Sequence, residues 1–121
     1  MSSVLIVEED PDLGRLWARH MERDGASVTI ARSQRAAKEA LRDASYDALV
    51  VDLSLPDMSA LAVAELASFL QPDARVVFVT PDDSFSGGSI FALSSNASAY
   101  LPTHTRPEDL AAIVEYHAAA R

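Results

Sequence analysis

The chain has 121 residues, of which 49% are hydrophobic and 23% charged, with a formal net charge of −8 at pH 7 and no cysteine. This composition fits one globular domain and excludes disulfide frameworks, thiolate metal sites and cysteine nucleophiles. The negative charge disfavours nucleic acid or an anionic membrane as a partner, and no apolar stretch resembles a signal peptide or a membrane span, so we expect a soluble cytoplasmic protein.

Short apolar runs alternate with helix-length stretches along the chain. Three runs are continuous, as in strands buried on both faces of a parallel sheet. Two weaker runs complete five predicted strands, at 4–7, 28–31, 48–51, 76–79 and 99–101.

The stretches between and after these runs carry helix signals. Several residues can start or stop a helix: Pro11, Gly25, Ser33, Ser59, and the capping box of Thr105 and Glu108. The third helix is predicted to bury one apolar face, made of Ala62, Leu66, Phe69 and Leu70. A fourth helix at 82–95 is expected to be short or late-starting, because two glycines interrupt it.

The resulting element order is a strand followed by a helix, repeated five times. Right-handed crossovers convert this order into an α/β fold, a doubly wound five-stranded parallel sheet with five helices in a three-layer α/β/α sandwich. In such sheets ligands bind beyond the carboxyl ends of the strands. The residues that follow each strand are therefore the candidate functional residues.

Acidic and hydroxyl side chains follow the predicted strands. Glu8 and Glu9 come after the first strand, Asp52 after the third, Thr80 after the fourth and Thr103 after the fifth. Two carboxylates about 4 Å apart repel by about 4 kcal/mol at an effective dielectric of about 20, so such a cluster needs raised pKa values or a bound cation. Mg²⁺ favours carboxylate and water oxygens.

The segments VLIVEEDP (4–11) and VDLSLPDM (51–58) resemble the receiver domain of two-component response regulators, and the resemblance covers the whole chain, 1–121. It implies the flavodoxin-like strand order 2-1-3-4-5. It also implies a phosphoacceptor at Asp52, a phosphoryl contact and switch at Thr80, and a switch aromatic at Tyr100. The metal ligands implied for Mg²⁺ are Glu8, Glu9, Asp52 and the main-chain carbonyl of Ser54.

The sequence departs from the family pattern at several of these positions. Glu9 replaces an aspartate that ligates the metal, so we expect weak Mg²⁺ binding, in the millimolar range or weaker. Thr103 replaces the lysine that pairs with the phosphoryl group; His104 and Arg106 are candidate substitutes. The remaining departures are Ala60 in place of glycine, and Pro81 in place of a small residue.

Two functions are compatible with these residues. In the first, the chain is a stand-alone response regulator receiver in a phosphorelay, phosphorylated at Asp52 by a sensor histidine kinase or a histidine phosphotransfer protein. It would signal by contact with an effector protein, with atypical switching because of Thr103. In the second, it is a receiver-like scaffold that binds proteins without phosphorylation. Neither is an enzyme beyond self-phosphorylation and dephosphorylation; no output domain is expected, and a homodimer stays open.

Overall fold

The computed structural model describes residues 1–56, 59–81 and 97–119, and its strands form one parallel sheet. The strands are β1 (Ser3–Val7), β2 (Ser27–Ala31), β3 (Ala48–Asp52), β4 (Arg75–Thr80) and β5 (Ala97–Pro102). They are hydrogen-bonded in the order β2-β1-β3-β4-β5, which confirms the predicted topology.

Helices cover both faces of this sheet. The described helices are α1 (Pro11–Arg23), α2 (Gln34–Asp43), α3 (Ser59–Leu70) and α4 (Pro107–Ala119). Helices α1 and α4 pack together on one face, and α2 and α3 on the other. The helix predicted at 82–95 lies outside the described residues. Among the described helices, none is both long and apolar enough to cross a membrane.

Alternation along the strands explains why the core has two layers. On β1, Leu5 and Val7 join the layer under α2 and α3, while Val4 and Ile6 join the layer under α1 and α4. All four side chains are fully buried. Both faces of the central strands are therefore apolar, as their continuous apolar runs predict.

Most of the predicted helix boundaries are confirmed. Pro11 is the first residue of α1, and Gly25 adopts a φ of +99° just after the end of this helix, a conformation that favours glycine. The Ser33 hydroxyl caps α2 by accepting a hydrogen bond from the Ala36 N–H at 3.1 Å.

Two predicted caps are wrong. The Thr105 hydroxyl donates to the Pro102 carbonyl at 2.7 Å, and the Glu108 carboxylate accepts from Arg106 Nε at 2.7 Å, so the capping box does not form. Helix α4 instead begins at Pro107. Ser59 is already the first residue of α3, and its hydroxyl donates to the Pro56 carbonyl rather than accepting from a helix N–H.

The predicted apolar face of α3 is wrong in part, since Leu66 packs partly buried on the core but Phe69 and Leu70 are exposed. The buried residues of this helix are Ser59, Ala60, Val63, Ala64 and Ala67. Phe69 is 83% exposed and Leu70 39% exposed. The helix is apolar on almost every side, so periodicity alone does not identify the side that packs on the sheet.

Candidate functional site

Two acidic side chains meet at the carboxyl ends of β1 and β3. These strands are neighbours with Val7 opposite Val51, so Glu8 and Asp52 leave the sheet side by side. Their exposures are only 3% and 5%. They line one cavity of about 480 Å³, whose walls are Glu8, Glu9, Asp10, Leu13, Asp52 and Ser54. The convergence predicted for residues 8 and 52 is present in the structure.

Glu8 holds the less satisfied of the two carboxyl groups. Its Oε2 accepts a hydrogen bond from the Asp10 N–H at 3.0 Å. Its Oε1 is buried and meets no hydrogen-bond donor in the described part of the chain. Burial first, and then the interaction with the neighbouring Asp52 carboxyl group, raise the pKa of Glu8 to about 8. The crevice therefore favours either a retained proton or a positive ion.

Asp52 is held in one orientation by the turn that follows β3. Its Oδ1 accepts hydrogen bonds from the Ser54 N–H at 2.8 Å and from the Ser54 hydroxyl at 2.7 Å. The Asp52 carbonyl accepts from the Leu55 N–H at 3.3 Å. Ser54 thus positions the carboxylate through its side chain as well, a role that reasoning about its main-chain carbonyl alone missed.

The other acids after β1 contribute less. Glu9 is exposed on the rim of the cavity. Asp10 caps α1: its Oδ1 accepts from the N–H groups of Asp12 and Leu13 at 2.9 and 3.4 Å. An aspartate directly before Pro11 signals such a cap, although the sequence reading did not use it.

The donor chemistry of the crevice suits a hard divalent cation. The available ligands are oxygens only, two carboxylates are buried together, and one buried oxygen, Oε1 of Glu8, has no partner in the described part of the chain. Within residues 1–56, 59–81 and 97–119, however, no three acidic or histidine side chains are grouped as a metal site. The residues fit such a cation as a two-carboxylate site, with Glu9 on the rim.

The predicted switch residues Thr80 and Tyr100 belong to β4 and β5, and Thr103 directly follows β5. Thr80 is 3% exposed, and its carbonyl accepts from the Thr103 N–H at 2.8 Å. The Thr103 hydroxyl is buried without a hydrogen-bond partner in the described part of the chain. Tyr100, half-buried, pairs in register with Phe78 and packs on the core layer under α2 and α3. None of the three lines the cavity of Glu8 and Asp52.

No base from the described residues lines the carboxylate cavity. Arg106 is exposed and pairs with Glu108. His104 is exposed as well. The position of the expected lysine is therefore occupied by a buried hydroxyl, and neither candidate substitute takes over its role in this structure.

Comparisons with known proteins all match this chain to receiver domains of response regulators. The family model for the response regulator receiver domain matches residues 4–115. The response regulator receiver protein CpdR of Brucella abortus is 29% identical over 80 residues, covering 66% of this chain and 67% of that protein. A CheY-like receiver domain protein of Methanospirillum hungatei has a TM-score of 0.86 at 25% identity, covering 98% and 94% of the two chains.

A third relative carries a modified aspartate. A response regulator of Burkholderia pseudomallei, solved with a phosphorylated aspartic acid, calcium and citrate, has a TM-score of 0.83 at 25% identity. The match covers 98% of this chain and 69% of that one. Against several longer curated relatives the chain spans only part of their length, for example 25% of PilR from Pseudomonas aeruginosa and 47% of YkoG from Bacillus subtilis.

Proposed function

This chain belongs to the response regulator receiver domain family of two-component systems, and on that basis we propose that it accepts a phosphoryl group on Asp52 and signals by protein contact. The observation that carries the proposal is the buried pairing of Asp52 with Glu8 at the ends of β1 and β3. A carboxylate that attacks a phosphoryl donor needs a fixed orientation and a nearby positive ion. Asp52 is held in one orientation, and the crevice around it favours a positive ion.

The residues around the crevice would have separate roles in phosphoryl transfer. Ser54 holds Oδ1 of Asp52, which leaves Oδ2 as the oxygen not engaged by Ser54. Attack by this carboxylate on the phosphorus breaks the bond to the donor, whose leaving group takes the electron pair, and produces an aspartyl phosphate. The side chains of Glu8 and Asp52 and the carbonyl of Ser54 would hold Mg²⁺, with Glu9 at the rim. When bound, the ion supplies the positive charge that offsets the repulsion between the carboxylates.

Thr80 and Thr103 would respond to the phosphoryl group differently from the family pattern. Thr80 offers a hydroxyl at the end of β4, and Tyr100 lies on the neighbouring strand β5, where it pairs with Phe78. Thr103 offers no ammonium, so the phosphoryl group would lack a fixed cationic partner on the β5 side. We therefore propose that switching relies on Thr80 and Tyr100, without an ion pair at the end of β5.

Acetyl phosphate, a small phosphoryl donor, tests this proposal. Incubation with the donor and Mg²⁺ should add the mass of one phosphoryl group to the intact protein. The variant Asp52→Asn should gain none, whereas Asp12→Asn, on the exposed first turn of α1, should behave like the wild type. An unmodified wild type, or equal modification of the Asp52→Asn variant, contradicts the proposal.

The second candidate function is protein binding without phosphorylation. It is favoured by the buried hydroxyl at Thr103 and by the absence of a base from the cavity lining in the described residues. This scaffold function predicts that a partner binds wild type and the Asp52→Asn variant with the same affinity, with or without acetyl phosphate. A phosphate-dependent affinity excludes it.

Several features of the proposal come from the family and the sequence. A sensor histidine kinase or a histidine phosphotransfer protein would supply the phosphoryl group, and an effector protein would read it. The chain would turn over no substrate other than the phosphoryl group on its own Asp52. A receiver without an output domain, and a cytoplasmic location, stay predictions.

A further inference from the structure

A second concave region lies on the face of α2 and α3. A groove of about 720 Å³ runs along α2 and past the segment that follows β3. A smaller groove of about 400 Å³ adjoins it on the side of α3, and Lys38 and Arg42 line both. We call this continuous surface the α2–α3 groove; its lining includes four bases and two large apolar side chains: Arg32, Arg35, Lys38, Arg42, Leu66 and Phe69.

The groove gathers positive charge in an acidic protein. The chain has ten bases against eighteen acids, and four of those bases line the groove together with three acids, Glu9, Glu39 and Glu65. Positions 35, 38 and 42 share one face of α2, because residues three and four apart are neighbours on a helix. Arg35 pairs with Glu39 at 3.5 Å, whereas Arg32, Lys38 and Arg42 have no ion-pair partner within the described ranges.

An exposed aromatic residue lies at the α3 end of the groove. Phe69 is 83% exposed, and the half-buried Leu66 lies one turn before it. The apolar stems of Lys38 and Arg42 extend the surface that these two side chains offer. Aromatic side chains in a groove are frequent anchors of protein partners, with charged side chains around them setting the choice of partner.

We propose that the α2–α3 groove binds an acidic amphipathic segment of a protein partner. The carboxylates of the segment lie along the bases of α2, and one bulky apolar side chain packs against Leu66 and Phe69. A polypeptide fits better than a small anion, because the bases are spread along an open helix face that continues onto an apolar patch. Arg32, Lys38 and Arg42, which have no ion-pair partner within the described ranges, outnumber the unpaired acids Glu9 and Glu65 of the lining, and this favours an acidic occupant. The proposal is independent of phosphoryl transfer at Asp52.

A random peptide library displayed on phage provides the probe. Selection on wild type, with counter-selection on a Lys38→Glu, Arg42→Glu double variant, should enrich peptides that combine Asp or Glu with Leu, Phe or Trp. Synthetic copies of these peptides should bind the double variant at least about tenfold more weakly, and should lose affinity as salt is raised. Phe69→Ser should weaken them by about tenfold as well.

Matched variants outside the groove serve as controls. Arg19→Glu, Arg23→Glu reverses the same number of charges on the exposed side of α1. Tyr116→Ser removes an aromatic side chain that is 71% exposed on α4. Both should bind the selected peptides like the wild type. Of the six changed groove and control sites, five are exposed and Lys38 is half-buried, so melting temperatures near that of the wild type should verify folding.

Several outcomes overturn the proposal. It fails if selection enriches no acidic peptides, or if the enriched peptides bind the double variant as tightly as wild type. Binding that depends on the bases and not on Phe69 indicates a small polyanion instead. Self-association of the wild type in sedimentation, lost in the double variant, indicates a second copy of the chain as the occupant.

Discussion

Glu8 has the most perturbed environment of the acidic residues around the cavity. Glu8 is 3% exposed, its carboxyl group faces Asp52, and only one of the two carboxyl oxygens has a hydrogen-bond partner within the described residues. Burial raises its pKa to about 8, with the interaction with Asp52 as a further cause. The folded protein thus holds a proton on Glu8 that the unfolded chain releases near the ordinary value of 4.5. Stability at this position therefore falls as pH rises from about 4.5 to about 8.

The variant Glu8→Gln tests this pH dependence in metal-free protein. The amide keeps the size of the side chain and removes the titration, so the variant should be the more stable form at pH 8. We expect a difference of about 1–3 kcal/mol, because the amide avoids the cost of ionising a carboxyl group that is buried beside Asp52. The difference should shrink toward pH 4.5. Urea unfolding at several pH values, with EDTA present, measures it; a constant difference across this range contradicts the assignment.

Thr103 presents the opposite case, a buried neutral group without a partner. Its Oγ1 meets no donor or acceptor in the described part of the chain, while its N–H is bonded to Thr80. Thr103→Val keeps the shape and the backbone hydrogen bond, and it removes the unsatisfied hydroxyl. The variant should be as stable as wild type or more stable by about 1 kcal/mol. A loss of more than about 1 kcal/mol in chemical unfolding would mean that the hydroxyl has a partner.

At the scale of single elements, α1 shows how local signals and packing agree. Asp10 caps it, Pro11 begins it and Gly25 follows it with positive φ. Trp17 is 1% exposed in the core between α1, α4 and the sheet. The helix therefore fixes the loop that carries Glu8 and Glu9, and its first turn borders the carboxylate cavity.

The two glycines near α1 provide a matched pair of substitutions. A Cβ at Gly14 would lie 3.5 Å from Ile30 Cγ2, an ordinary contact, so Gly14→Ala should stabilise α1 by about 0.5–1 kcal/mol. A Cβ at Gly25 meets nothing within 4 Å, but the φ of +99° penalises alanine by about 1–2 kcal/mol. Thermal unfolding should shift in opposite directions for the two variants; shifts of the same sign contradict this account.

Sequence signals predicted the strands better than the helix faces. Continuous apolar runs such as 48–51 are typical of strands buried on both faces of a parallel sheet, and β3 is such a strand. The predicted face of α3 was wrong for Phe69, which extends into solvent, because alanines recur on the buried side of this helix. The capping box failed because Pro107 starts α4 later than Thr105 requires.

The candidate site was predictable to the extent that it follows from strand order. Adjacent carboxyl ends of β1 and β3 bring Glu8 to Asp52 whatever the details of the loops. Side-chain geometry within the loops was not predictable, because it depends on local hydrogen bonds. Examples are the two hydrogen bonds that Ser54 donates to the Asp52 carboxylate and the exposure of Glu9.

At the scale of the whole molecule, Mg²⁺ affinity depends on where the loops after β1 and β3 place their carboxylates. With two buried carboxylates and Glu9 on the rim, Mg²⁺ should bind in the millimolar range or more weakly. Glu9→Asp shortens the side chain toward the expected ligand position and should tighten binding by about tenfold. Amide chemical shifts during a Mg²⁺ titration measure both constants. A micromolar constant for wild type contradicts the argument from Glu9.

Beryllofluoride, a phosphoryl mimic that forms on a carboxylate, tests the paired carboxylates of Glu8 and Asp52 most directly. With millimolar Mg²⁺ and beryllofluoride, the amide signals around Glu8, Asp52 and Thr80 should shift and the melting temperature should rise. The variant Asp52→Asn should show neither change. An unchanged spectrum and melting temperature for wild type, or the same response in the Asp52→Asn variant, would contradict a phosphoacceptor site at Asp52.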